Sequence, residues 1–175
     1  AYAKRFKDRK DATDVAFAIG VVYEDAGDMV KAEAAYRDFI KAYRGNTHVL
    51  EATLRAARCA LKQDALKRAA DGFAVVVAAF GKAKGKERGV VAPLAAEARY
   101  YQGELVFRDY EKLSLAVPPS QLDRALRAKG DMLTKAQLIY LSISEYRDTK
   151  WGTAALYRAG QVFDGFAEAL TAAPT

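Results

Sequence analysis

The sequence is short of the residues that most often carry catalysis, metals or covalent cross-links. It has one cysteine, one histidine, four prolines and a single tryptophan in 175 residues. One cysteine excludes an internal disulfide framework and leaves the compartment open. Cys59 stands among Ala56, Ala57, Ala60 and Leu61, the surroundings of a small buried hydrophobe rather than a reactive thiol. His48 has no second histidine and no cysteine cluster to work with, so neither a metal site nor a His-based acid–base pair is expected. No nucleophile–base–orienter set is visible either, and the expectation is a protein without cofactor or enzymatic activity.

Long apolar runs are also missing. The stretch from Gly72 to Gly81 carries no charge, yet it is about half the ~20 residues a membrane-spanning helix needs. The basic opening Ala1 to Lys7 has no apolar core behind it, unlike a signal peptide, and the ending Thr171 to Thr175 is abrupt. Both ends read as those of a fragment of a longer protein. Two segments imitate ligand loops without their chemistry. Glu24-Asp25 with Asp28 lacks a calcium-loop spacing and reads as a solvated helix end. Gly81 to Glu87 has one residue too few between its glycines for a phosphate loop, and Glu87 stands where Ser or Thr would hold Mg²⁺. With three glycines and four cations, Gly81–Gly89 reads as a mobile solvated connector.

What is present favours helix. Apolar residues make up 51% and charged residues 29%, an ordinary globular balance. The net charge of +6 is concentrated in residues 51–100, where ten basic residues face five acidic ones. That local excess suits an acidic partner.

Small and aromatic residues recur at matched offsets. Residues 13–46 supply Ile19, Gly20 and Tyr23, a Gly27-Asp28 turn, then Ala32 and Tyr36. Ala57, Ala60, Ala69 and Phe73 repeat the small–small–small–aromatic order in residues 50–83. In residues 96–148 a first helix from Ala96 to Tyr110 carries Gly103 and Phe107. Ala136 and Tyr140 follow on a helix expected from about Gln121 to Tyr146, with Ser120 and Asp123 resembling a capping box after Pro118-Pro119. A last helix, 150–170, carries Leu156, Ala159, Gly160 and Phe163. The anchors Gly20, Ala57, Gly103 and Gly160 lie 37, 46 and 57 residues apart. No strand-like alternation competes.

This pattern resembles the tetratricopeptide repeat (TPR) family, whose 34-residue unit reads W-x2-L-G-x2-Y, A-x3-F, P. Ala16 stands for the tryptophan and Arg44 for the proline. The resemblance implies an all-α fold: one TPR-like domain over 1–175, a right-handed superhelix of antiparallel helix pairs with insertions, three repeats plus a C-terminal helix. It further implies a concave groove lined by the first helix of each repeat. Carried onto this chain, the groove positions are Phe17, Val21 and Glu24, then Arg55, Arg58 and Lys62. Tyr100, Tyr101, Glu104 and Arg108 follow, and finally Tyr157, Arg158 and Gln161. Arginine and tyrosine are the residue types that dominate binding hot spots. Phe17 and Val21 occupy positions that clamp a carboxylate in the family's chaperone-tail subset, so that activity is not expected. Arg55 and Arg58 read as solvated charges whose removal leaves folding intact.

Ala32 to Tyr43 resembles outer-membrane assembly lipoproteins and the Tol-associated periplasmic coordinator. Trp151 to Phe163 resembles large repeat proteins of δ-proteobacteria, some linked to gliding motility. The implied function is a scaffold for protein–protein interaction in a bacterial envelope complex, periplasmic or envelope-associated, with the cytoplasm as the alternative compartment. The partner would be a protein or peptide segment, acidic in part. The alternative function is a basic helical module that binds nucleic acid or another acidic polymer. Against nucleic acid, residues 55–88 show no aromatic–basic interleaving.

Overall fold

In the computed structural model, residues 11–172 are described; residues 1–10, with the basic opening, and residues 173–175 lie outside them. Seven α-helices and one 3₁₀ turn make up the described chain, with no strand among the described residues. They are α1 (Ala12–Asp25), α2 (Met29–Ala42), α3 (Val49–Lys62), α4 (Leu66–Lys82), α5 (Gly85–Glu111), α6 (Pro119–Ser142), the 3₁₀ turn Ile143–Tyr146, and α7 (Thr149–Thr171). The chain divides into two compact units, Ala1–Lys82 and Ala83–Thr175. Within each, consecutive helices pack on one another, as short connections require.

In the first unit the turns have local causes. Gly27, at φ +78°, lets the Asp28 N–H reach back to the Tyr23 carbonyl at 2.9 Å, closing α1. Asp28 then caps α2, its carboxylate accepting from the Lys31 N–H at 3.0 Å. The same closure recurs after α3: Asp64 takes φ +60° and the Ala65 N–H reaches the Ala60 carbonyl. Between the helices, Tyr36 lies across Gly20 so closely that a Cβ there would come within 2.6 Å of its Cδ1. Ala32, Phe39, Ala52 and Cys59 complete this core, while Gly72 of α4 meets the Cβ of Ala57. Each large buried side chain contributes ~1.5–3 kcal/mol.

The second unit repeats the device at greater length. Tyr140 of α6 lies on Gly103 of α5, where an added Cβ would stand 2.8 Å from the ring's Cζ. Ala136, Ile143, Phe107 and Tyr110 surround the pair, and Ala155, Ala159 and Val162 of α7 close the core. Lys129, buried, caps the end of α5. Its Nζ donates to the Leu113 carbonyl at 2.6 Å and lies 4.1 Å from the Tyr110 ring centre. Burial holds its pKa below the usual lysine value.

Two local readings are corrected. Gly81–Gly89 is not a loop: only Ala83 and Lys84 fall outside helix, and α5 begins at Gly85. Ala83 is buried and anchors the turn, Gly85 takes its left-handed conformation at φ +54°, and Lys-Glu-Arg are good helix formers. The start of α6 is not a capping box either. Pro118 and Pro119 fill the N-cap and first helical positions, where a missing N–H costs nothing, and Ser120 lies inside the helix.

Candidate functional site

Both units build the same charged cluster over their tyrosine–glycine contact. In the first, the Tyr36 hydroxyl donates to Glu24 at 2.8 Å. Arg55 Nη1 donates to the same carboxylate at 3.1 Å, and Arg58 Nη2 lies 3.2 Å from its other oxygen. In the second, the Tyr140 hydroxyl donates to Glu104 at 2.7 Å, and Arg158 grips Glu104 with both Nε (2.8 Å) and Nη2 (2.9 Å). Tyrosine comes from one helix, glutamate from the helix before it and arginine from the helix after it. Such a bidentate, charge-assisted geometry is among the stronger polar contacts.

The electrostatics follow from burial. Tyr36 and Tyr140 are pushed far above the ordinary phenol value by desolvation first and their glutamate neighbours second. Desolvation pulls on Arg55 and Arg158, yet their carboxylate partners hold both above the usual arginine value. Glu24 is 9% exposed. This corrects the reading of Glu24 as part of a solvated helix end. Arg55 and Arg58, less than a third exposed, are likewise not solvated charges. Removing both strands a nearly buried carboxylate, so the expectation that folding survives their loss is withdrawn.

The remaining expected groove residues divide clearly. Phe17 and Val21 pack on the first core, and the Phe17 ring lies 5.5 Å from Phe39 and 5.2 Å from His48. Lys62 is exposed. In the second unit Tyr100, Tyr101 and Trp151 form a half-buried aromatic group, with Tyr100 5.1 Å and Tyr101 5.9 Å from the Trp151 ring. Glu104, Arg158, Gln161 and Tyr157 join in one chain: Arg158 Nη1 donates to Gln161 Oε1 at 3.0 Å, and Gln161 Nε2 donates to the Tyr157 hydroxyl at 3.2 Å. Tyr157 is 70% exposed; Arg108 is half-buried.

Sequence reasoning missed the two tyrosine hydroxyls and Trp151 as members of these clusters. The available signal was the Ala-x3-Tyr pair at Ala32/Tyr36 and again at Ala136/Tyr140. It also missed an open cleft of about 410 Å³ lined by Arg37, Lys41 and Arg44 with Ile40 and Val49; Arg37 and Lys41 lie one turn apart on α2, and Arg44 follows in the turn after it. Glu33, buried on α2, is bound by Arg68 of α4 at 2.9 Å and Gln63 at 2.8 Å, which locks α2 against the α3–α4 turn. Among the described residues no three His, Cys, Asp or Glu side chains converge as a metal site would require, and no helix is long and apolar enough to cross a membrane. Set against protein-family models, curated proteins and solved structures, the chain matches none of them.

Proposed function

We propose that the chain is a protein-binding helical-repeat module of the TPR type, a non-enzymatic scaffold whose ligand face includes α5 and α7. The observation that carries this reading is Tyr157, 70% exposed and tied through Gln161 to the Arg158–Glu104 pair. A tyrosine fixed by hydrogen bonds loses little entropy on binding, and arginine with tyrosine is the usual hot-spot pairing. Tyr101 and Trp151 supply further aromatic surface in the same unit. The superhelical arrangement of the repeats and a place in a bacterial envelope complex, periplasmic or envelope-associated, rest on the repeat letters and on the resemblances of Ala32–Tyr43 and Trp151–Phe163.

Nucleic acid is the weaker ligand class. Arg55, Arg58 and Arg68, which gave residues 51–100 much of their basic character, are engaged by Glu24 and Glu33. The test compares wild type with Tyr157→Ala, an exposed substitution that leaves the core untouched. Immobilised wild-type chain is expected to retain specific proteins from a lysate of the source cells, and the folded variant is expected to lose them, by ~2 kcal/mol or more in affinity. An unchanged set of retained proteins removes Tyr157 from the ligand face. A salt-sensitive electrophoretic shift with RNA or DNA that Tyr157→Ala leaves intact favours the nucleic-acid reading instead.

A further inference from the structure

The cleft beside Arg37 is one end of a longer trough in the first unit. A second hollow of about 240 Å³ adjoins it, and Arg37 and Ile40 line both. Val49, Thr53, Ala56 and Ala60 of α3, spaced 4, 3 and 4, present one helix face as the floor. Helix α2 forms one wall, and α4 forms the other through Arg68, Asp71 and Gly72. This is the side of α3 opposite Arg55 and Arg58, whose charge Glu24 already engages. The floor is apolar, because the Thr53 hydroxyl donates to the Val49 carbonyl of its own helix at 2.8 Å.

Charge along the trough is one-sided. At one end Glu33 of α2 pairs with Arg68 of α4, and both its oxygens are taken, by Arg68 at 2.9 and 3.2 Å and by Gln63 at 2.8 Å. Asp71 pairs with Lys67 at 2.9 Å. Arg37 stands 3.6 Å from Glu33 and keeps its side chain 65% exposed. The other end brings Arg37, Lys41 and Arg44 together with no carboxylate in its lining. Asp38, the nearest acid along α2, pairs with none of the three among the described residues. Like charges so close repel one another, and an anionic partner relieves that repulsion. No aromatic ring lines either hollow, so nothing there stacks on a base as single-stranded nucleic acid requires. A bare phosphate would leave the apolar floor uncovered. A peptide carrying carboxylates beside an apolar side chain matches both features.

We infer that this trough docks an acidic peptide segment, one apolar side chain resting on Ile40 and Val49 while its carboxylates meet Arg37, Lys41 and Arg44. From Val49 to Ala60 the floor runs about 17 Å, room for about five residues of extended peptide. Covering the floor displaces water and strengthens each charge pair at its edge. The site is separate from the ligand face proposed above, since all its residues belong to the first unit and Tyr157 to the second.

Selection from a phage-displayed library of random dodecapeptides, with the whole chain as bait, tests it. Enriched peptides are expected to set Asp or Glu on both sides of a Leu, Ile, Val or Phe, and such a peptide, made synthetically, to bind with micromolar Kd. Lys41→Glu combined with Arg44→Glu, both at exposed positions, is expected to weaken binding at least about tenfold with unchanged circular dichroism. Lys41→Gln with Arg44→Gln is expected to act in the same direction, and so is a peptide whose apolar residue is replaced by Ser. Lys86→Glu, an exposed reversal in the second unit, and Tyr157→Ala are expected to leave binding within about twofold. Selection without acidic–apolar enrichment overturns the proposal, as does a peptide indifferent to the double reversal. An equal loss with Lys86→Glu shows attraction between net charges alone, and a loss with Tyr157→Ala alone moves the peptide to the other face; either overturns it. A single-stranded oligonucleotide that binds more tightly than the peptide and is lost with the double reversal assigns the trough to nucleic acid and equally overturns it.

Discussion

The two units solve one packing problem with the same parts and different margins. Each lays a tyrosine ring on a glycine and clamps its hydroxyl to a glutamate held by arginine from a neighbouring helix. In the first unit the glutamate is 9% exposed and two arginines neutralise it; in the second it is 21% exposed and one arginine does so bidentately. A buried carboxylate requires more compensation than a half-open one, and the extra arginine supplies it. The first unit has therefore turned Glu24, Arg55 and Arg58, expected to line a ligand groove, into structure. The second leaves Tyr157 and Gln161 at the surface beside its clamp.

The comparison breaks most sharply at the carboxylates. Glu24→Ala leaves two part-buried guanidinium groups without their shared partner, a loss of ~3–5 kcal/mol. Glu104→Ala, with more water and one arginine, is expected to cost roughly half as much. Chemical denaturation of the two variants reads both, and equal losses would show that burial does not set the difference.

Next come the glycines. Gly20→Leu and Gly103→Leu each drive a side chain into a tyrosine ring, an overpacking cost of ~1–3 kcal/mol or more. Gly160→Leu, in open space, is expected to leave stability unchanged within ~0.5 kcal/mol. If all three variants melt alike, the ring-on-glycine contact is not what fixes helix spacing.

The hydroxyl contribution is no larger than this. Tyr36→Phe and Tyr140→Phe each remove one hydrogen bond to a charged acceptor, about 1.5–3 kcal/mol at most. The larger loss is expected for Tyr140, since Glu104 keeps a single arginine. Urea midpoints in the reverse order would sink that ranking.

The smallest effect is chemical. Burial first, and the Glu24 carboxylate next, push the Cys59 thiol from 9.0 up to about 11. A raised folded-state value means the protonated thiol contributes stability below pH ~9 that is lost as the pH climbs towards 11. Native Cys59 is expected to react with a thiol reagent at pH 8 at least ~100-fold more slowly than the denatured chain. Comparable rates would show that α3 opens freely.

Much of the molecule was legible in its letters. The 3–4 spacing of Leu122, Leu126, Leu133, Ala136 and Tyr140 marked α6 to within two residues at its start, and Gly27-Asp28 marked the first turn. These signals are local: a helix face or a left-handed residue is set by neighbours within a turn or two. The start of α5 was misread because Gly85 and Gly89 suggest a break, while the helix-forming Lys-Glu-Arg between them and the buried Ala83 decide otherwise.

The sequence by itself determined that the chain is helical, where most helices lie, and which small residues let them approach. Tertiary structure alone decided which charges are structural. Glu24 and Arg55 stand 31 positions apart, and Glu104 and Arg158 stand 54 apart, so each pair meets only after two further helices have packed. The same holds for the glycines: Gly20, Gly103 and Gly160 look alike in the sequence, but two are covered by tyrosine and one is bare. Whether a small residue is a filled socket or an open one depends on what the rest of the fold sets against it, and no local pattern carries that information.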